Sequence, residues 1–151
     1  VFAASLTYRD FEAHDVLKPL DGVVVKTLPL NHHDECIGYR VEFDGRSICY
    51  ITDTTHILGE PDQGIIDFVH DTDLMIYDGT YTDAEFPAFW NFGHSTWEEG
   101  VRITKQAGVK RYCVFHHRPS RSDRQLDKIA EQCKKEFRRS WVGREGMTIK
   151  V

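Results

Sequence analysis

Arg46-Ser-Ile-Cys-Tyr-Ile-Thr-Asp-Thr-Thr-His56 is the stretch on which the reading of this chain turns. Phe43-Asp-Gly-Arg46 leads into it, and Asp-Gly between apolar runs is a hairpin signal because both residues tolerate positive φ. Ile48-Cys-Tyr-Ile51 is short, β-branched and aromatic, which predicts a buried strand. The run stops abruptly at Thr52-Asp53-Thr54-Thr55-His56. An acidic side chain at the carboxyl end of a buried strand either caps a turn or serves a ligand, because α/β sheets bind ligands at that edge. The other strand ends of the chain decide between the two.

Upstream, Asp21-Gly22 opens a strand over Val23–Leu30, and Pro29 marks an edge or a strand end. Asn31-His-His-Asp-Glu35 is a polar loop, and Cys36–Phe43 is the next strand. Ser5–Phe11 alternates and predicts an edge-like strand, so the first third reads as an antiparallel meander. Downstream the pattern becomes helix and strand in turn. Pro61–His70 predicts a short helix, and Leu74–Tyr77 a buried strand that ends in Asp78-Gly79-Thr80. Asp83–Phe89 predicts a helical turn. A capping box from Ser95 to Glu98 starts a helix that Gly108 ends. Arg111–Phe115 is a strand closing in His116-His117. A second capping box, Ser122 to Gln125, opens a helix with Leu126, Ile129, Ala130, Cys133 and Phe137 on one face. Met147–Val151 predicts a terminal strand. The fold class is α/β, a mixed sheet whose helices suffice for one face and leave the other to a second chain or a missing half.

At 151 residues, 40% hydrophobic and 12% aromatic, the chain fits one domain with a real core. A net charge of −5 weighs against a nucleic-acid footprint over the whole surface and leaves room only for a local one. Four cysteines without a Cys-x-x-Cys pair read as buried free thiols, which fits a reducing, cytoplasmic setting. No signal-peptide pattern and no apolar run of membrane-spanning length is present, so no membrane partner is expected. The start, Val-Phe-Ala-Ala, lacks methionine and predicts a fragment or a processed product.

The eight histidines carry the functional signal. His32 follows Leu30, Asp53 follows Ile51, Asp78 follows Tyr77 and His116 follows Phe115, while His94 lies in Gly93-His-Ser-Thr96 ahead of a helix. Imidazole and carboxylate suit zinc, manganese and iron. One such histidine is ordinarily structural. Several gathered at strand ends are what an α/β metal site requires. Asp78 either orients a ligand or ends its strand. His117 should point away from His116, His56 lines the cleft or sits on an exposed turn, and His14 and His70 should be surface residues. Trp90 and Phe92 line a substrate wall or the core. Arg118, Arg121 and Arg124 bind phosphate or are solvated.

Leu30-Asn-His-His-Asp-Glu-Cys-Ile-Gly-Tyr-Arg-Val-Glu-Phe43, Tyr50-Ile-Thr-Asp-Thr-Thr-His56, Gly93-His-Ser-Thr96 and Val114-Phe-His-His117 together resemble the metallo-β-lactamase fold hydrolases. They resemble in particular the phosphodiesterase-like branch that includes the tRNA 3′-processing endonucleases. The resemblance implies a four-layer αββα fold of which this chain is the C-terminal half. It implies two divalent ions, zinc first, with manganese or iron as alternatives. His32 would bind one ion, Asp53 would bridge both, His116 would bind the second, and His94 would act in catalysis beside the phosphate. The substrate would be a phosphodiester-type small molecule or a nucleotide, with nucleic acid left open. The family's opening His-x-His-x-Asp-His signature is absent from the sequence. The expectation is therefore a chain inactive alone, which self-associates or pairs with the missing N-terminal half. His33 and Asp34 stand where the family tends to have Pro and Gly, so His32 and His33 compete as ligand. Two other readings stay open: an ester, thioester or lactone hydrolase of the same fold, and a non-catalytic remnant that binds a partner.

Overall fold

In the computed structural model residues 6–151 are described. They build a seven-stranded sheet in sequence order: β1 (Val16–Leu17), β2 (Val24–Leu30), β3 (Cys36–Phe43), β4 (Arg46–Ile51), β5 (Leu74–Asp78), β6 (Tyr112–Phe115) and β7 (Ser140–Val142). Strands β1 to β4 pair antiparallel, and β4 to β7 pair parallel. The hinge of the fold is the quoted stretch. Asp44 and Gly45 have φ of 48° and 71°, as a two-residue turn between twisted strands demands, and they set Phe43 opposite Arg46. Beyond Ile51 the strands run parallel, so each return needs a crossover. The helices α1 (Gln63–Phe68), α3 (Trp97–Gln106) and α4 (Asp123–Glu136) lie in those crossovers, and α2 (Phe86–Phe89) is a single turn ahead of α3.

Period-two alternation sorts the faces. Cys49, Ile51, Met75, Tyr77, Tyr112 and Val114 point into the core that α1, α3 and α4 cover. Ile48, Tyr50, Ile76 and Phe115 point the other way, so the helices cover one face as expected. Gly38 belongs to the first side because a Cβ there would lie 2.7 Å from Ile51 Cδ1. Two positions on, Arg40 donates to the carbonyls of Phe68 and His70 and to Thr72 Oγ1, each at 2.9 Å, and so ties off the end of α1.

Gly100 is the tightest point between α3 and the sheet. A Cβ there would meet the Tyr112 hydroxyl at 2.1 Å and Tyr77 Cδ1 at 2.9 Å. Both rings are fully buried, and the Tyr112 hydroxyl donates to Trp97 O at 3.1 Å, so neither can swing away. Gly100→Ala should therefore lower stability by about 1–3 kcal/mol despite alanine's better helix propensity. Urea unfolding measures it, and an unchanged or higher midpoint would contradict the packing described.

A second expectation concerns pH. Burial pushes the Glu98 carboxyl up to about 7, and the nearby Asp83 charge adds to it. A carboxyl raised on folding binds its proton more tightly in the folded chain. Stability is then full at acid pH and declines as pH rises from the ordinary carboxylate range through about 7. Glu98→Gln removes that slope. Because the group is only partly buried, the difference should be about 1 kcal/mol after solvent screening. Unfolding curves at mildly acidic and mildly alkaline pH read it directly.

The structure corrects several local expectations. The strand expected over Ser5–Phe11 begins outside the described residues, and residues 6–11 form none. The edge is instead β1, which pairs only with Lys26 and Val25. That short edge explains Pro29: its part of β2 has no neighbour on the β1 side, so its missing N–H breaks no ladder bond. Only Phe86–Phe89 of the stretch 83–89 is helical. The cap of α3 is Thr96, whose Oγ1 accepts from Glu99 N at 3.0 Å, because Ser95 is held elsewhere. Ser122 and Gln125 do form their box, with the Ser122 N–H on Gln125 Oε1 at 2.8 Å. Met147–Val151 forms no strand. Ser140–Val142 takes the place beside β6, and Met147, Ile149 and Val151 line a cleft on the outer face together with Ile48, Tyr50 and Ile76. The face expected to be bare is covered in part by the chain's own tail, while Tyr50 and Phe115 stay 38% and 39% exposed.

Candidate metal centre

The carboxyl ends of β4, β5 and β6 lie side by side, and each carries a polar residue of the quoted motifs. Asp53 and His116 both turn the chain in the left-handed region, with φ of 58° and 56°. Non-glycine residues adopt that conformation at a cost of about 1–2 kcal/mol, which surrounding contacts must hold. Here the Thr80 hydroxyl donates to His116 O at 2.6 Å, and Gly79 N donates to Phe115 O at 2.8 Å. The result is a close group: His116 Nε2 lies 3.3 Å from Asp53 Oδ1, and His94 Nδ1 lies 4.0 Å from the same oxygen. The His94 and His116 rings are 4.9 Å apart.

Asp78 is the hub behind them, and it is fully buried. Its Oδ2 accepts from Asp53 N at 3.0 Å and lies 3.1 Å from His94 Nδ1. Its Oδ1 accepts from Thr80 N at 3.1 Å and Ser95 N at 3.3 Å. One carboxylate thus fixes the turn at Asp53, the His94 loop and the end of β5. Of its two sequence readings, orientation of a histidine is the one this geometry matches. The hydrogen bond to Asp78 raises the His94 pKa above the usual imidazole range; burial opposes this, and the charges of Asp78 and Asp53 add to it.

Ligand atoms of Asp53, His94 and His116 all lie within 4.8 Å of one another, so this donor set fits a divalent ion. His32, His33 and Asp34 form a second such group. His32 stands at the margin of the first, its ring centroid 6.2 Å from that of His94. Its Nδ1 accepts from Asp34 N at 3.1 Å, which leaves Nε2 to ligate. Gly93 makes this approach possible: a Cβ there would fall 2.4 Å from the His32 ring, and φ is 80°.

The remaining candidates sort plainly. His117 places Nε2 3.1 Å from Gly143 O, and burial lowers its pKa. Arg121 pairs with Glu85 at 2.6 Å and donates to Thr80 O, a structural role. Arg118 lies over the Phe89 ring at 4.8 Å. Arg124, His14 and His70 are exposed. His56 departs from the exposed-turn expectation. It is buried, stacked on Phe86 at 4.0 Å, with Nδ1 2.8 Å from Ser95 Oγ. The Tyr77 hydroxyl meets the same Ser95 Oγ at 3.0 Å. Burial lowers the His56 pKa and outweighs the pull of Glu99 and Asp83. No local signal marks His56, because its cover comes from Phe86, far along the chain.

Ribonuclease Z of Thermoplasma volcanium is 34% identical over 108 residues, which is 71% of this chain and 33% of that protein. The chain thus spans about a third of the length of the curated relatives it matches. The metallo-beta-lactamase fold protein YhfI from Bacillus subtilis superposes with a TM-score of 0.74 at 20% identity, over 91% of this chain and 52% of that one. The short form of human tRNase Z superposes with a TM-score of 0.68 at 24% identity, over 90% and 46%. Both show the fold. The sequence model of the beta-lactamase superfamily domain matches residues 6–117, a span that runs from the first described residue through Asp53 and His94 to His116, and the chain belongs to that family.

Proposed function

We propose that this chain carries one side of a two-metal phosphodiesterase centre. The observation behind the reading is the convergence of Asp53, His94 and His116 at adjacent strand ends, with Asp78 locking two of them. Asp53 has two oxygens and suits a bridge between ions. His116 and His32 would supply imidazole nitrogens, and an imidazole and carboxylate set of this kind favours zinc. The chemistry such ions supply when bound is a water acidified towards neutrality and a clamp on the phosphoryl oxygens. His94 does the proton work. Asp78 holds its Nδ1 and favours the charged ring, so Nε2 is set to donate to a leaving oxygen. The relatives named Ribonuclease Z support a phosphodiester over a carboxylic ester.

The four cysteines are free, and burial pushes Cys49, Cys113 and Cys133 up to about 11, which leaves those thiols poor nucleophiles. No helix among the described residues is long and apolar enough to cross a membrane. The test is hydrolysis of bis(p-nitrophenyl) phosphate, with Zn²⁺ or Mn²⁺ and with chelator, by this chain and by a longer protein that contains it. The longer protein should show metal-dependent turnover. The chain alone should show little, and it should self-associate in sedimentation through its outer sheet face. Metal-independent turnover, or cleavage of thioesters or lactones in preference to the phosphodiester, would sink the reading.

A further inference from the structure

We propose that the cleft beside the His94 loop is a subsite for a flat aromatic group, a nucleobase or an aryl ring, joined to the phosphate. The proposal rests on the phosphodiesterase reading and names the substrate class of that site. Trp90, Ile57 and Leu58 line the cleft and are 63%, 58% and 55% exposed. Large apolar side chains exposed together around a concavity mark a binding groove more often than they mark loose packing.

Loose packing is also excluded by the loops that carry them. Asn31 Nδ2 donates to Thr55 O at 3.0 Å, and Thr55 N donates to Asn31 O at 2.8 Å. The Thr55 hydroxyl donates to Trp90 O at 2.9 Å. The three walls are stitched together by hydrogen bonds that each end on a backbone carbonyl, and their apolar side chains are left over. The floor is the stacked pair of His56 and Phe86, with ring planes 11° apart. Burial lowers that imidazole's pKa, which favours an uncharged floor.

The shape and chemistry select the occupant. An indole wall and a floor of flat rings favour a flat partner over a branched aliphatic one. His32 and His33 stand at the mouth, where the cleft meets the candidate metal centre through Gly93. A ring seated in the cleft therefore leaves its phosphate beside imidazoles. A nucleoside phosphate or an aryl phosphate has this layout, with an apolar disc at one end and an anion at the other.

Calorimetry on the chain, without metal, tests this with three phosphate monoesters: adenosine 5′-monophosphate, phenyl phosphate and ribose 5-phosphate. At least one of the two ring-bearing probes should bind about tenfold tighter than ribose 5-phosphate, the scale of one stacked base. Trp90→Ala and Leu58→Ser should bring the probes to parity, and Trp90→Phe should keep the preference. Both positions are exposed, so the fold survives these changes. Equal binding of all three probes, absence of binding at millimolar concentration, or a preference that survives Trp90→Ala overturns the proposal. A tryptophan emission shift that follows protein concentration and not adenosine 5′-monophosphate, and that is lost in Trp90→Phe, assigns the cleft to a second copy and also overturns it. Metal-dependent hydrolysis without ring preference would defeat this inference alone. Ring preference with no hydrolysis by the longer protein would defeat the activity reading alone.

Discussion

Asp53→Ala, made in a protein that unites this chain with the rest of its fold, should lose metal and nearly all phosphodiester turnover together. The loss should exceed about 10³-fold, since changing even the residues that merely orient ligands costs about 10–100-fold in comparable sites. The physical reason is that one carboxylate would serve both ions, so its removal opens two coordination spheres at once. Asp53 also holds a left-handed turn at φ 58°, so alanine adds backbone strain. Asp53→Asn separates the two effects. Asparagine tolerates that conformation and keeps the shape, but it is a poor bridge. Elemental analysis beside the activity assay should show metal lost in both variants, with the fold intact in Asp53→Asn. Full metal content with normal turnover in either variant would refute the assignment.

His94→Ala should behave differently. Turnover should fall by roughly 10²–10⁴-fold while metal content stays, which is the signature of a lost proton donor. The expectation follows from Nδ1, which is committed to Asp78 at 3.1 Å. The same arrangement admits a rival, because ligating histidines also give their second nitrogen to a carboxylate. His94 lies within ligand distance of Asp53 and His116, whereas His32 stands further out. Metal analysis of His94→Ala and His32→Ala decides between them. Metal lost on His94→Ala and kept on His32→Ala would move His94 into the ligand set and His32 out of it.

What the sequence determined by itself was local. Asp44-Gly45 specified a hairpin through backbone sterics. Short apolar runs rich in β-branched and aromatic residues placed β3 to β6, and abrupt polar strand ends marked His32, Asp53, Asp78 and His116 as one group. Those signals survive in any context because they depend on near neighbours in the chain. Tertiary structure decided the rest. Asp78 became a hub only because the amides of Asp53, Thr80 and Ser95 converge on it from three separate segments. Ser95 lost its capping role to Thr96 because His56 and Tyr77, both distant in sequence, compete for its hydroxyl. Met147–Val151 carries a strand's residues yet lies across the sheet, because Ser140–Val142 already holds the edge of β6. In each case a long-range contact outweighed a local preference worth about 1 kcal/mol, and a pattern read over a few residues contains no information about such contacts.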